Sequence, residues 1–267
     1  MRALKPLRLL RNRYRIVSKV GQGGFGTVYQ AEDTLLGLVV ALKVAQADEN
    51  AILHLRREAR HLACLKHAGI PAYHDLFEEQ GRWCLAMEWV DGAHIRVGQS
   101  LSVRQVLWIG LQICPILHYL HIRCHQPVIH RDIKPDNLRL SRAYQLYLVD
   151  FGISCFPGMN EAAEGSPGYA APEQWMQGGQ ITQKADIYAL GGTLREFLTG
   201  QTPDEQASAK QKPLLARDTG ASGHRELADL LENMTAEMPD DRPNICEVWQ
   251  DLEVLYQRLR EEAYVLP

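Results

Sequence analysis

The feature that most constrains this chain is a change of hydrophobic period near residue 91. Before it, apolar residues come in short extended runs: Tyr14 to Val20, Thr27 to Ala31, Leu38 to Val44, Leu76 to Phe77 and Trp83 to Trp89. The first two runs flank a glycine cluster and the last two flank Gln80-Gly81, so tight turns join them. The first three runs predict an antiparallel sheet. One helix interrupts the pattern: within Asn50 to Leu65, Ile52, Leu55, Ala59 and Leu62 share a face, with Arg56, Arg57 and Arg60 off it. After Asp91-Gly92 the period becomes helical over Val103 to Leu120, Gln183 to Thr199, Glu226 to Met234 and Ile245 to Glu261. Pro115, inside the first of these helices, is expected to cost a hydrogen bond and produce a kink. Gly200 to Gly223 is polar and reads as a surface excursion, and no internal repeat is visible. The pattern predicts an α+β chain with a small strand-rich lobe, a larger helical lobe and a ligand cleft between them.

Composition narrows what such a chain can do. At 267 residues there is material for two modest lobes. Lys plus Arg number 29 against 32 Asp plus Glu, a net charge of −3 that argues against a protein built to hold nucleic acid. The longest apolar run, Leu35 to Leu42, is far too short to span a membrane. Met1 to Leu10 carries Arg2, Lys5 and Arg8 without the apolar core of a signal peptide, so a soluble chain with no membrane contact is expected. Residues 1–13, with Arg11 and Arg13, read as a basic flanking segment, since Pro6 interrupts any amphipathic membrane-surface helix. Cys64, Cys84, Cys114, Cys124, Cys155 and Cys246 are scattered without a C-x-x-C pair, which fits buried thiols in a reducing, cytoplasmic compartment. His118, His121 and His125 lie beside Cys124 at helical spacing, but the further Glu or Cys ligands of catalytic zinc patterns are not nearby, and no metal cage is predicted. His118 and His121 read as part of an amphipathic helix with Leu117 and Leu120 at its core.

Three segments carry chemistry. Gly21-Gln22-Gly23-Gly24-Phe25-Gly26 is a G-x-G-x-x-G. A dinucleotide fingerprint needs a helix to open at its last glycine, whereas Thr27-Val28-Tyr29 predicts a strand. What remains is either a plain glycine turn or a hairpin whose backbone N–H groups approach phosphate unobstructed. Lys43 closes the apolar strand Val39-Val40-Ala41-Leu42 and needs a partner if buried; Glu58, on the following helix, is the candidate, unless both are surface charges. The third segment is Val128-Ile129-His130-Arg131-Asp132-Ile133-Lys134-Pro135-Asp136-Asn137-Leu138, followed by the apolar run Leu146 to Val149 ending in Asp150-Phe151-Gly152. Two acids and an amide arranged this way suit a metal–nucleotide: hard oxygen ligands, with one carboxylate left to accept a proton.

In this order the segments resemble the catalytic domain of eukaryotic-like Ser/Thr protein kinases of bacterial type, from about Tyr14 to Leu259. The resemblance implies a bilobal kinase fold over 14–267, with an N-lobe at about 14–90, a hinge at about 88–92, a C-lobe at about 93–267 and an ATP cleft between the lobes. It implies that Gly21, Gly23 and Gly26 cover the ATP phosphates and that Lys43 holds the α- and β-phosphates while paired with Glu58. Asp132 is the implied catalytic base, Lys134 neutralises the transferring group, and Asn137 and Asp150 bind Mg²⁺, with Mn²⁺ as a substitute. Glu88 to Val90 resembles the segment that hydrogen-bonds adenine, with Met87 as gatekeeper and Val28 and Ala41 packed over the base. Glu173 of Ala171-Pro172-Glu173 is expected to pair with Arg242, and Asp186 to hold the catalytic-loop backbone. Lys134 and Ser166, in Gly165-Ser166-Pro167-Gly168-Tyr169, favour Ser/Thr over Tyr. The implied partners are ATP and protein substrates bearing Ser or Thr, in a non-specific serine/threonine protein kinase that autophosphorylates. The rival reading is a pseudokinase scaffold without turnover; Lys43, Glu58, Asp132, Asn137 and Asp150 are all present, which disfavours it.

Three residues depart from the pattern. Ser154 is the one hydroxyl between Gly152 and Gly165, so the usual activation-loop Thr is missing, and Glu161 or Glu164 is expected to supply the charge facing Arg131. Arg139 stands where an apolar residue usually lies beneath adenine; its stem is expected to cover the ring with the guanidinium in solvent. Cys155 reads as an inert, partly buried thiol.

Overall fold

The computed structural model describes residues 8–95, 98, 100–158, 163–203 and 223–265. The chain divides into two compact units, 1–92 with 149–154, and 93–148 with 155–267. The predicted excursion at 200–223 lies largely outside the described residues, as do Arg2, Lys5 and Glu161.

The first unit is a six-stranded antiparallel sheet with one helix. Its strands are β1 (Leu9–Leu10), β2 (Tyr14–Gln22), β3 (Gly26–Asp33), β4 (Leu38–Ala45), β5 (Tyr73–Glu79) and β6 (Arg82–Glu88), in the order β1-β2-β3-β4-β6-β5. Because side chains alternate across a strand, β4 sends Val40, Leu42 and Val44 to one face and Ala41 and Lys43 to the other. The first set packs with Tyr14, Ile16, Tyr29, Ala31, Phe77 and Cys84 into a buried cluster. Helix α1 (Glu49–Cys64) packs on β4, β5 and β6. Asp48 caps it, accepting the Ala51 N–H at 2.8 Å, and Leu55, Ala59 and Leu62 of the predicted apolar face are buried. The basic segment does more than flank the sheet. Leu9–Leu10 pairs with β2 as an edge strand, and Arg11 and Arg13 reach Asp75 and Asp33.

The second unit is mainly helical: α2 (Val103–His118), α3 (Lys184–Thr199), α4 (His224–Met234) and α5 (Ile245–Val265), with a small sheet β7 (Gly92–His94), β8 (Leu138–Ser141), β9 (Leu146–Leu148) in that order. Ser102 and Gln105 form a capping box at the start of α2. The segment Val103–Arg123 is long and apolar enough to cross a membrane by length and composition. Here Val106, Leu107, Ile113, Cys114, Ile116 and Leu117 are buried by protein and the helix packs on α3 and α5, which makes it a core helix. The helix continues through Pro115; the departure from α geometry comes later, as a π turn at Tyr119–Arg123.

Two expectations are corrected. Only Cys84, Cys114 and Cys155 are buried, while Cys64 and Cys246 are exposed, although all six are free thiols. Val149–Ser154, read as part of the larger lobe, belongs to the first unit, because its side chains and backbone bond to β4 and α1.

Candidate active site

In the first unit the sheet register brings several of the predicted site residues together. Val28 lies opposite Lys43 on β3–β4 and Met87 opposite Ala41 on β4–β6, so Val28, Lys43, Ala41 and Met87 share the face on which α1 packs. Glu88 donates its backbone N–H to the Ala72 carbonyl at 2.8 Å, and Val90 is buried two residues on. The glycine hairpin closes with Gly23 N–H to Gly26 C=O at 2.9 Å. Gly26 must be glycine, since a Cβ there would stand 2.6 Å from the Val44 carbonyl oxygen. A Cβ on Gly21 or Gly23 would meet nothing within 4 Å, so space lies open over these two residues. Gln46 holds the Gly24 carbonyl at 2.6 Å and thereby turns the hairpin's carbonyls toward the strand side.

Lys43 is buried and its Nζ lies 2.7 Å from both Glu58 Oε2 and Asp150 Oδ1. Burial pulls the ammonium pKa down, but the two carboxylates more than offset it, and Lys43 stays firmly charged. Burial pushes Glu58 up to about 7 against the pull of Lys43, with the Asp150 charge adding to the rise. Of the surface-charge and buried-pair alternatives, the buried pair is the one formed. Asp150 has φ +66°, a left-handed conformation uncommon outside glycine. Its Oδ1 is further anchored by the Gly152 N–H at 3.3 Å.

In the second unit, Asp132 is the hub. Its Oδ2 accepts from Asn137 Nδ2 and Lys134 Nζ, both at 2.9 Å, and its Oδ1 accepts from Ser166 Oγ at 2.6 Å. Lys134 also donates to Ser166 Oγ at 2.5 Å, closing a triangle of carboxylate, ammonium and hydroxyl. Pro135 opens the 3₁₀ turn Pro135–Asn137, which folds the Asn137 amide back onto Asp132. Beneath this loop, Asp186 at the start of α3 accepts the backbone N–H groups of His130 and Arg131 at 2.9 and 2.8 Å. Burial alone would raise the Asp186 carboxyl, but hydrogen bonds from His121 and the loop backbone hold it below its ordinary value. Glu173 and Arg242 form a buried bidentate pair at 2.7 and 2.9 Å. By donor chemistry each unit offers an oxygen ligand suited to a hard divalent cation, a carboxylate on Asp150 in the first and an amide oxygen on Asn137 in the second. Among the described residues no group of three or more His, Cys, Asp or Glu forms a metal cage, and a cation that keeps its waters and binds phosphate oxygens does not need one.

A sequence model of the protein kinase domain matches residues 14–252. The chain belongs to the protein kinase domain family. It is 35% identical to the serine/threonine-protein kinase PrkC of Bacillus subtilis, over 74% of this chain and 32% of that protein. It is 38% identical to the serine/threonine-protein kinase PknD of Mycobacterium tuberculosis, over 71% of this chain and 30% of that protein. With the serine/threonine-protein kinase C of Synechocystis it shares 34% identity, over 90% of this chain and 49% of that protein. The chain spans about a third of the length of PrkC and PknD. Kinases of this family use ATP together with a divalent cation.

Three site details were not foreseen from sequence. His121, set aside with the other histidines, is buried in the π turn and donates Nε2–H to Asp186 at 2.8 Å; His118 packs edge-on against Trp249 instead. Arg139 has a partner at its tip: its Nη1 lies 3.2 Å from His94 Nε2 at an exposed position, and burial lowers its pKa. Arg131 is fully buried and donates to the backbone carbonyl of Glu164 at 3.4 Å. The signal for His121 was present, since a polar side chain on the Leu117–Leu120 face of a core helix needs a buried partner.

Proposed function

We propose that this chain is the catalytic domain of a Ser/Thr protein kinase, transferring the γ-phosphoryl group of MgATP to Ser and Thr hydroxyls of proteins, itself included. The observation that carries it is the hydrogen-bonded triangle of Asp132, Lys134 and Ser166. A carboxylate held on both oxygens is fixed in direction and can take a proton from a hydroxyl placed against it. The substrate oxygen then bonds the γ-phosphorus as the bond to the β–γ bridging oxygen breaks, and ADP leaves. Lys134, already at Asp132, offsets the negative charge that passes between the oxygens. In the first unit, Lys43 offers a fixed cation to the α- and β-phosphates, and the hairpin backbone offers N–H groups over Gly21 and Gly23. Asn137 and Asp150 are the oxygen donors for Mg²⁺, which supplies charge neutralisation on the phosphates when bound. The names of the relatives support Ser/Thr as the acceptor. Six free thiols support a reducing compartment such as the cytoplasm.

The test is transfer of labelled γ-phosphate from MgATP to the chain and to a generic basic protein, comparing wild type with Asp132→Asn. Label in the wild type alone, recovered as phosphoserine and phosphothreonine after acid hydrolysis, is the expected result. Nucleotide binding without label in either protein would overturn the reading.

A further inference from the structure

Helix α1 buries three polar side chains on one face, His54, Glu58 and His61, one turn apart. Each addresses a different part of residues 151–154. His54 Nδ1 lies 2.9 Å from the Gly152 carbonyl. A carbonyl only accepts, so Nδ1 carries the proton and donates it. Glu58 takes the Phe151 N–H in addition to Lys43. Ser154 Oγ directs its proton to the Phe151 carbonyl at 2.7 Å and so accepts from His61 Nδ1. The segment that follows the left-handed Asp150 is therefore held from the helix at three points.

His54 makes one contact that the other two lack. Its ring lies against Phe25, at the apex of the glycine hairpin, with centroids 3.9 Å apart and planes at 33°. One imidazole thus touches the hairpin apex with its face and the Gly152 carbonyl with its edge. Leu offers a face without a donor, and Asn a donor without a face.

We propose that His54 is a positioning residue that couples the glycine hairpin, through Phe25, to the setting of Asp150. The inference rests on the kinase reading above. Hairpin position governs how well the ATP phosphates are held, and Asp150 governs their alignment for transfer, so the two contacts of His54 separate in kinetics. His54→Asn keeps the donor and loses the ring face; KM for ATP is expected to rise about fivefold or more with kcat near wild type. Phe25→Ala is expected to do the same, and the double variant to add nothing to either. His54→Leu keeps a face and loses the donor, and kcat is expected to fall while KM for ATP holds. A role in folding alone predicts lowered melting temperatures with unchanged KM and kcat per active molecule, and that result would overturn the proposal. Amide hydrogen exchange, read by mass spectrometry on the whole chain without nucleotide, decides the coupling independently of turnover. Phe25→Ala is expected to speed exchange at residues 150–154, which Phe25 reaches through His54. Unchanged protection there would overturn the proposal even if the protein proved an active kinase. If the wild type transferred no phosphate, faster exchange would still establish the coupling while the kinase reading fell.

Discussion

Asp186 pins the backbone of Arg131: its Oδ1 accepts the Arg131 N–H at 2.8 Å, and Arg131 sits at φ +69°. A bulky residue in the left-handed region is strained and persists only where its surroundings over-determine it. Here the other carboxylate oxygen holds the His130 N–H, and His121 donates to the same oxygen. The next residue along is Asp132, so the direction of its carboxylate is inherited from this anchor.

Replacing Asp186 with Asn should therefore injure chemistry before nucleotide binding. An amide presents one acceptor where the loop has two N–H donors, and its NH₂ group would face a donor. Relaxation of Arg131 displaces Asp132, for which a loss of about 10²-fold in kcat is expected, with KM for ATP little changed. Steady-state kinetics on the folded fraction check this, and a variant with wild-type kcat would contradict it.

Ser166 tests the triangle around Asp132 from the other side. Ser166→Ala removes the donor to Asp132 Oδ1 and the acceptor of Lys134. Hydrogen bonds to charged groups contribute about 1.5–3 kcal/mol, so kcat should fall by about tenfold or more. Ser166→Thr keeps the hydroxyl and should retain most activity. Equal losses in the two variants would mean that the backbone of this segment, and not the hydroxyl, matters.

Sequence reading and structure part company where polar groups are buried. The apolar face of α1 was legible because Leu55, Ala59 and Leu62 recur at helical spacing. His54 and His61 on the same helix were not, since hydropathy patterning treats a buried histidine as a surface one and cannot see a partner about a hundred residues away. Lys43 and Glu58 were legible as a pair only because a lysine ending an apolar strand demands one. Asp132, Asn137 and Asp150 were legible through their order along the chain. The bonds of His121 to Asp186 and of Arg139 to His94 depend on how turns and small strands bring distant residues together, which periodicity does not encode. The transfer of Val149–Ser154 to the first unit has the same origin: tertiary bonds to α1 and β4 override sequence continuity.

Two ion pairs within the second unit differ sharply in worth. Arg242 and Glu173 are almost wholly buried and bonded at both oxygens, whereas Arg258 and Glu226 have side chains about half exposed, 47% and 52%. Glu173→Gln leaves a buried guanidinium without its counter-charge and should cost about 3–5 kcal/mol of unfolding free energy. Glu226→Gln should cost about 0–1 kcal/mol, as water already solvates both partners. Urea unfolding of the two variants side by side checks the contrast, and similar midpoints would refute it.

Acid should weaken the first unit through Asp33. Arg13 grips its carboxylate at 2.9 and 2.6 Å, and the N–H groups of Leu35 and Leu36 add two more bonds. The hydrogen bonds from Arg13 hold Asp33 below the ordinary carboxylate value, against burial. A carboxyl whose folded pKa is depressed binds fewer protons folded than unfolded. Its stabilising contribution is complete above the unfolded value of about 3.9 and is lost as pH falls from there through the depressed one. Asp33→Asn should flatten the fall of stability below about pH 4 while lowering stability at pH 7. Chemical unfolding at stepped pH reads both effects, and an unchanged acid slope would count against the pair.

The activation segment should work without phosphate. Ser154, the one hydroxyl between Gly152 and Gly165, is fully buried and bonded to Phe151 and His61, out of reach of any kinase active site. Further along, Gln174 bridges the carbonyls of Arg131 and Glu164 at 3.1 and 2.9 Å, and Arg131 itself donates to Glu164. These bonds to carbonyl oxygens tie residue 164 to the catalytic loop, where many kinases use a phosphate opposite the same arginine. Phosphatase-treated protein should keep full activity, and peptide mapping after incubation with MgATP should find no phosphate between residues 152 and 165. Gln174→Leu removes the bridge and should slow turnover while phosphatase treatment remains without effect. A stoichiometric phosphate in this segment, required for activity, would show that charge and not the Gln174 bridge sets the loop.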